Sequence, residues 1–289
     1  MNPYHKLVGE LAQMVRDGKE FPLGNFPMPP EKELPADAPV AMIFSPHPDD
    51  ECIIGGLPLR LHRENGFRAV NVAVTQGSHP ERQIPRLEEL VPACQYLNFE
   101  LVQTTSHGLA RIKPDVRDLD PDYWRNSVDI IKNILLKYQP KVILFPHEID
   151  QNSGHIGVNY LIHDALTACG NDFSTLICET EFWSPMRDPN LMLEISPADL
   201  GDMLTALSFH VGEVSRNPYH IRTPMWMIDN VRRGGEIVGK QGGTPPDFLY
   251  ATNYRIRTWK GGIKANPFDE GQFIGVSQDI STILPLLGS

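Results

Sequence analysis

Residues 41–51 read AMIFSPHPDDE, an apolar run ending in a proline-braced loop that holds one histidine and three carboxylates. A run that is apolar at every position suits a strand covered on both faces, as parallel strands are. The same grammar recurs along the chain. Short apolar runs at 69–74 (AVNVAV), 99–103 (FELVQ), 141–145 (KVILF) and 174–178 (STLIC) alternate with helix-period segments, and that alternation predicts βαβ units around a parallel sheet. The clearest helix is WRNSVDIIKNILLKY (124–138), with Trp124, Val128, Ile131, Leu135 and Tyr138 on one stripe. IPRLEELVPACQYL (84–97) predicts a stripe of Ile84, Leu87, Val91 and Cys94, with Pro92 kinking the helix or opening a new one. Ahead of the core, residues 3–17 predict a short helix, and the prolines of FPLGNFPMPPEKELPADAP (21–39) exclude both helix and strand. The expected organisation is therefore a helix and strap over 1–38 and one α/β domain over 39–289.

The 289 residues, 41% of them hydrophobic, suffice for one large core. A net charge of -10 without a basic run argues against nucleic acid. Cys52, Cys94, Cys169 and Cys178 form no C-x-x-C pair, and charges interrupt the N-terminal segment. Neither a disulfide framework nor a secretion signal is legible, so the expected location is the cytoplasm, with no membrane partner. A homo-oligomer is compatible with the sequence, which does not specify one.

In an open α/β sheet the functional groups collect on loops beyond the carboxyl ends of strands. Two such loops are loaded with chemistry: SPHPDDE (45–51) and PHEIDQNSGH (146–155). Like charges this crowded repel unless a cation sits among them, and catalytic zinc sites use three His or carboxylate ligands with a fourth position open. His47 and Asp50 supply two ligands and His155, at a helix start, the third. Asp49 is left over, adjacent to a ligand and suited to act as general base toward an activated water. Taken singly, Asp49 and Asp50 would read as helix caps. Two His/Asp loops on separate strands favour the metal.

SPHPDDE resembles the (A/P)-H-P-D-D-E signature of the PIG-L/LmbE-like zinc-dependent de-N-acetylases, and the resemblance extends through TQGSHPERQIPRLEEL (75–90) and the later His loop to about His210. It implies a Rossmann-like fold, mostly parallel with helices on both faces. It also implies Zn2+ on His47, Asp50 and His155, Asp49 as base, and Arg86 of the R-x-x-E segment as a substrate contact. The implied reaction is removal of the acetyl group from an N-acetylated amino sugar, with release of acetate. Two departures stand out. Asn152 replaces the first histidine of the family's H-x-x-H, which helps stabilise the oxyanion, and His147 is the expected substitute. His107 stands where many members carry Asp before the glycine of the third strand's loop.

Rival readings are an amidase acting on a thiol-sugar conjugate, a mononuclear iron oxygenase, since His47-Pro48-Asp49 with a distant His also spells the facial-triad spacing, and a sugar-binding module that has lost catalysis. Farther on, FWSPMRDPN (182–190) and FHVGEVSRNPYHIRTPMW (209–226) mix aromatic residues with Arg and His, a composition that fits a sugar pocket and a domain rim equally well. RRGGEIVGKQGGTPP (232–246) lacks the context of a phosphate loop and predicts a surface connection.

Overall fold

Strand β1 (Val40–Ser45) is buried along its whole length, and its alternate side chains feed two separate cores. Ala41 and Ile43 join the cluster on one face of the sheet, and Val40, Met42 and Phe44 join the cluster on the other. Apart from the small Ala41, each such side chain withdrawn from water contributes about 1.5–3 kcal/mol. The apolar run is what makes a three-layer architecture possible.

A computed structural model describes residues 2–285 and 287. The further strands are β2 (Arg68–Ala73), β3 (Glu100–Gln103), β4 (Val142–Pro146), β5 (Ser174–Thr180), β6 (Leu191–Glu194), β7 (Ala251–Lys260), β8 (Ile263–Ala265) and β9 (Gln272–Ile274). The helices are α1 (Pro3–Asp17), α2 (Asp50–Ile54), α3 (Gly56–Asn65), α4 (Pro80–Leu97), α5 (Val116–Leu119), α6 (Pro121–Tyr138), α7 (Ser153–Ala168), α8 (Pro197–Ser208), α9 (Val211–Arg216), α10 (Tyr219–Ile237) and α11 (Ile280–Ile283). The sheet runs β3-β2-β1-β4-β5-β7-β6-β9, with β8 hydrogen-bonded to β7. The first five strands are mutually parallel, and β7 enters antiparallel to both β5 and β6. This is the expected Rossmann-like α/β fold, mostly parallel, with helices on both faces.

Leu57 of α3, Leu90 and Leu97 of α4, and Met203 and Leu207 of α8 cover one face. Ile131 and Leu135 of α6, with Val158, Leu161 and Ile162 of α7, cover the other. After β1 the chain steps outward through β2 and β3, then returns to place β4 on the opposite side of β1. That reversal opens a crevice beyond the ends of β1 and β4, the topological switch point.

Two local expectations are corrected. Helix α4 runs unbroken through Pro85 and Pro92, and its buried face is Leu90, Ala93, Cys94 and Leu97, while Ile84 is 60% exposed and Val91 is also exposed. Arg232–Ile237 of the glycine-rich segment closes helix α10, where Gly234 and Gly235 are buried because Met192 and Pro245 press against them. Strands β6, β7 and β9 lie in the part of the chain that the sequence left unread. As expected, α1 forms over Pro3–Asp17 and is followed, after a short 3-10 turn at Gly18–Glu20, by a stretch with neither helix nor strand up to β1. Among the described residues no helix is long and apolar enough to cross a membrane, and the four cysteines are free.

Candidate metal centre

The loop after β1 folds back on itself. The N–H of His47 donates to Asp50 Oδ2 at 2.9 Å, which fixes the carboxylate that the two histidines share. His47 Nδ1 lies 3.6 Å and His155 Nε2 3.5 Å from that same oxygen. Ligand atoms about 2.0–2.1 Å from one zinc ion at tetrahedral angles stand about 3.4 Å apart, so this spacing suits a common cation. One ligand atom from each of His47, Asp50 and His155 falls within 4.8 Å of the others.

His155 enters from the second loop. Asn152 caps α7 by accepting the Gly154 N–H at 2.8 Å, and the helix start then delivers His155 to the crevice. Both ring nitrogens of His155 are buried without a hydrogen-bond partner, as is Asp150 Oδ2, which lies 3.6 Å from His155 Nδ1. A cation on Nε2 would leave Nδ1–H for Asp150, the carboxylate–histidine arrangement that orients metal ligands. The chain therefore fits the expected ion, and Asp150 is a supporting residue that sequence reasoning missed.

Electrostatics follow the geometry. Burial works to raise the Asp50 pKa, but His155 and His47 outweigh it and hold the carboxyl below its ordinary value. Burial lowers the pKa of His47 despite Asp50. Burial acts the same way on His155, where Asp50 and Asp150 prevail and raise it. Asp49 moves oppositely to Asp50: burial, then the Asp50 charge, push its pKa well above the usual carboxylate value, with Arg86 opposing.

Asp49 makes no capping bond at the start of α2, which sets aside its reading as a helix cap. Its φ of 116° is a conformation that non-glycine residues rarely adopt and costs about 1–3 kcal/mol, typical of strain held at functional sites. Glu51 helps to hold it, since Glu51 Oε2 accepts the Asp49 N–H at 3.1 Å. Arg86 donates to the Pro48 carbonyl at 3.0 Å and lies 3.9 Å from Asp49 Oδ2. Gly77 has a φ of 89°, and a Cβ there would come within 2.5 Å of the Arg86 guanidinium, so glycine is required.

His47, Asp49, Asp50, Arg86, Asn152 and His155 line one cavity of about 240 Å³. The structure does not bring His147 into it. That ring is fully buried, accepting from the Ile149 N–H at 3.3 Å and donating from Nε2 to the Ser184 carbonyl at 2.8 Å. With both nitrogens engaged it cannot meet a reacting oxygen, and the expected oxyanion role is withdrawn. His107 is exposed and outside the cavity, and His163 packs against Phe145 away from the metal cluster. The remaining wall comes from the half of the chain that resisted reading. Phe182, Trp183 and Tyr219 contribute aromatic rings, and Glu213 and Arg216 of α9 face Arg82 of α4. The only hint of these was the mixture of aromatic residues with Arg and His at 182–190 and 209–226.

Fold and site together place a cluster that could hold a metal ion, His47, Asp50 and His155, at the switch point of a Rossmann-like sheet, with the carboxylate of Asp49 beside it. Residues 42–166 match the family model described as PIG-L: GlcNAc-PI de-N-acetylase, and the resemblance carried by SPHPDDE holds over that stretch. No curated protein matches the chain by sequence. Among solved structures, N,N'-diacetylchitobiose deacetylase from Pyrococcus horikoshii has a TM-score of 0.53 at 18% identity, covering 90% of this chain and 96% of that one. The zinc inhibited form of teicoplanin deacetylase Orf2 gives 0.54 at 15%, covering 79% and 100%. The 4-carboxy-2-hydroxymuconate hydratase GalB from Pseudomonas putida KT2440 gives 0.57 at 16%, covering 75% and 95%. These likenesses establish the fold. Because they include a hydratase, the reaction has to be argued from the site.

Proposed function

We propose that the protein is a zinc-dependent hydrolase that removes the acetyl group of an N-acetylated amino sugar, water and amide giving acetate and a free amine. The observation that carries this is Asp49, a buried carboxylate that lines the same cavity as the His47–Asp50–His155 cluster without belonging to it. When bound, zinc supplies an acidified water and an electrophilic contact for the acyl oxygen. Asp49 takes the proton of the attacking water and returns it to the departing nitrogen. A carboxyl whose pKa burial has raised holds a proton more readily than an ordinary aspartate, which suits both halves of that task.

Other residues orient the sugar. Trp183 and Tyr219 line the same cavity as the metal cluster, and Trp183, which is exposed, offers an aromatic face on which a sugar ring stacks. Arg86 steadies the Pro48 carbonyl and donates toward the substrate. The deacetylase activities named for the diacetylchitobiose and teicoplanin enzymes, and the family description, agree with this reading. The cavity is smaller than the roughly 300–1,000 Å³ typical of drug-sized pockets, which suits one sugar residue with its N-acetyl arm.

The test is acetate release from N-acetylglucosamine, its phosphates, oligomers and glycosides by zinc-loaded protein, together with elemental analysis. About one zinc per chain and acetate from at least one sugar are expected. Full activity without metal, or iron with oxygen consumption, would overturn the reading.

A further inference from the structure

Arg82, Arg86 and Arg216 converge on one carboxylate, Glu213, in the wall of the same cavity. Arg82 and Arg216 hydrogen-bond its two oxygens, and Arg86 lies 3.7 Å from it. Glu213 is buried and the arginines come from separate elements, two from α4 and one from α9. A single carboxylate does not neutralise three guanidiniums. Counting Asp49 against Arg86 as well still leaves one guanidinium of this cluster without a carboxylate of its own. His79, also on the rim, is 3.4 Å from its own partner Glu81, and Asp50 is committed to the two histidines.

Arg82 and Arg216 each make one side-chain hydrogen bond among the described residues, although a guanidinium carries five donors. Their side chains are 36% and 62% exposed, so the remaining donors are open to an incoming group. Beside them Gln76 lines the same cavity at 1% exposure, and neither its amide oxygen nor its amide nitrogen has a partner. Buried amides are otherwise satisfied by protein, water or ligand. A planar fork of donors and a waiting amide are what an oxyanion on a sugar would meet.

We propose that the substrate carries a second, anionic group, a phosphate or a carboxylate, that seats on Arg82 and Arg216 while Gln76 hydrogen-bonds the adjoining sugar. This rests on the deacetylase reading for the position of the amide, but not for the seat itself.

The experiment compares kcat/KM of the zinc-loaded protein for N-acetylglucosamine 1-phosphate, N-acetylglucosamine 6-phosphate, N-acetylmuramic acid and the neutral methyl N-acetylglucosaminide. Calorimetry on Asp49→Asn protein measures binding of the same sugars without turnover. At least one anionic sugar should exceed the neutral glycoside about tenfold in both readouts. Arg82→Ala and Arg216→Ala should each reduce that ratio severalfold, with Arg216→Lys recovering part of it. A phosphate preference and a carboxylate preference are told apart by which of the three anionic sugars wins. Equal binding of charged and neutral sugars overturns the proposal. So does an anionic preference that survives both alanine variants while only their melting temperatures fall, since the arginines would then merely clamp α4 to α9. Should no sugar release acetate while anionic sugars still bind through Arg216, the deacetylase reading fails and the anion seat stands.

Discussion

Asp49 and Asp50 are neighbours in the chain with opposite environments. Asp50 turns toward two histidines, and Asp49 is held by a strained backbone toward Arg86 and the cavity. Asp49→Asn keeps the shape of the side chain but cannot accept a proton at neutral pH. The expected result is retained metal with kcat reduced about 10²–10⁴-fold and KM little changed. Metal analysis and steady-state kinetics check both halves; loss of the metal would make Asp49 a ligand instead. The residues of this centre were legible because they crowd two short loops at strand ends, where a histidine and adjacent carboxylates have few structural uses. His147 was misplaced because adjacency in the chain says nothing about which way a ring turns, and here it turns to the Ser184 carbonyl. Asp150 was hidden for the opposite reason, its value to the site lying in its 3.6 Å approach to His155.

Between elements, the tie that matters most to the site joins α2 to α9. Glu51 is fully buried: one oxygen accepts the Asp49 N–H and the other meets His210 Nε2 at 2.7 Å. His210 is the residue from which α9 starts, so this pair links the strained Asp49 to the helix that carries Glu213 and Arg216. Removing the imidazole leaves that buried carboxylate oxygen with only the weak Cys52 thiol donor at 3.2 Å, which costs about 1–3 kcal/mol. His210→Ala should therefore lower the denaturant midpoint accordingly and reduce kcat while the metal is retained. Unchanged stability together with unchanged kcat would show that the pair braces nothing. Elements of the first half were readable because each alternates apolar strand and amphipathic helix. The expected stripe of helix α4 was half right: Leu87 and Cys94 pack on the core, whereas Val91 and Ile84 are apolar yet exposed, and the small Ala93 packs inward where no pattern of large residues marks it. The antiparallel strand β7 follows a glycine- and proline-rich loop and pairs with strands far away in sequence, a relation that periodicity does not encode.

Across the whole molecule, the metal centre joins the two loops that flank the switch point, so an ion that binds only the folded chain should stabilise all of it. At a free metal concentration of 100 times Kd the gain is about 2.7 kcal/mol, worth roughly 5–10 °C in Tm for a domain of this size. The pH dependence has a definite sign. In the metal-free chain the His155 pKa is raised, with Asp50 and Asp150 overcoming the effect of burial. Its protonated form therefore stabilises the fold fully below the ordinary histidine pKa, and that contribution is lost as pH rises through the raised value. Metal binding has the reverse requirement, because the ion must displace the same proton. Below the raised pKa each unit of acidification should cost about tenfold in apparent affinity through this group alone, or about 1.4 kcal/mol of metal-derived stability. Melting curves with zinc and with a chelator should then stand well apart at pH 8 and draw together as the pH falls toward 5.5. In His155→Ala protein they should nearly coincide throughout. A gap that does not change with pH, or one that survives His155→Ala, would place the stabilising ion elsewhere and remove His155 from the centre.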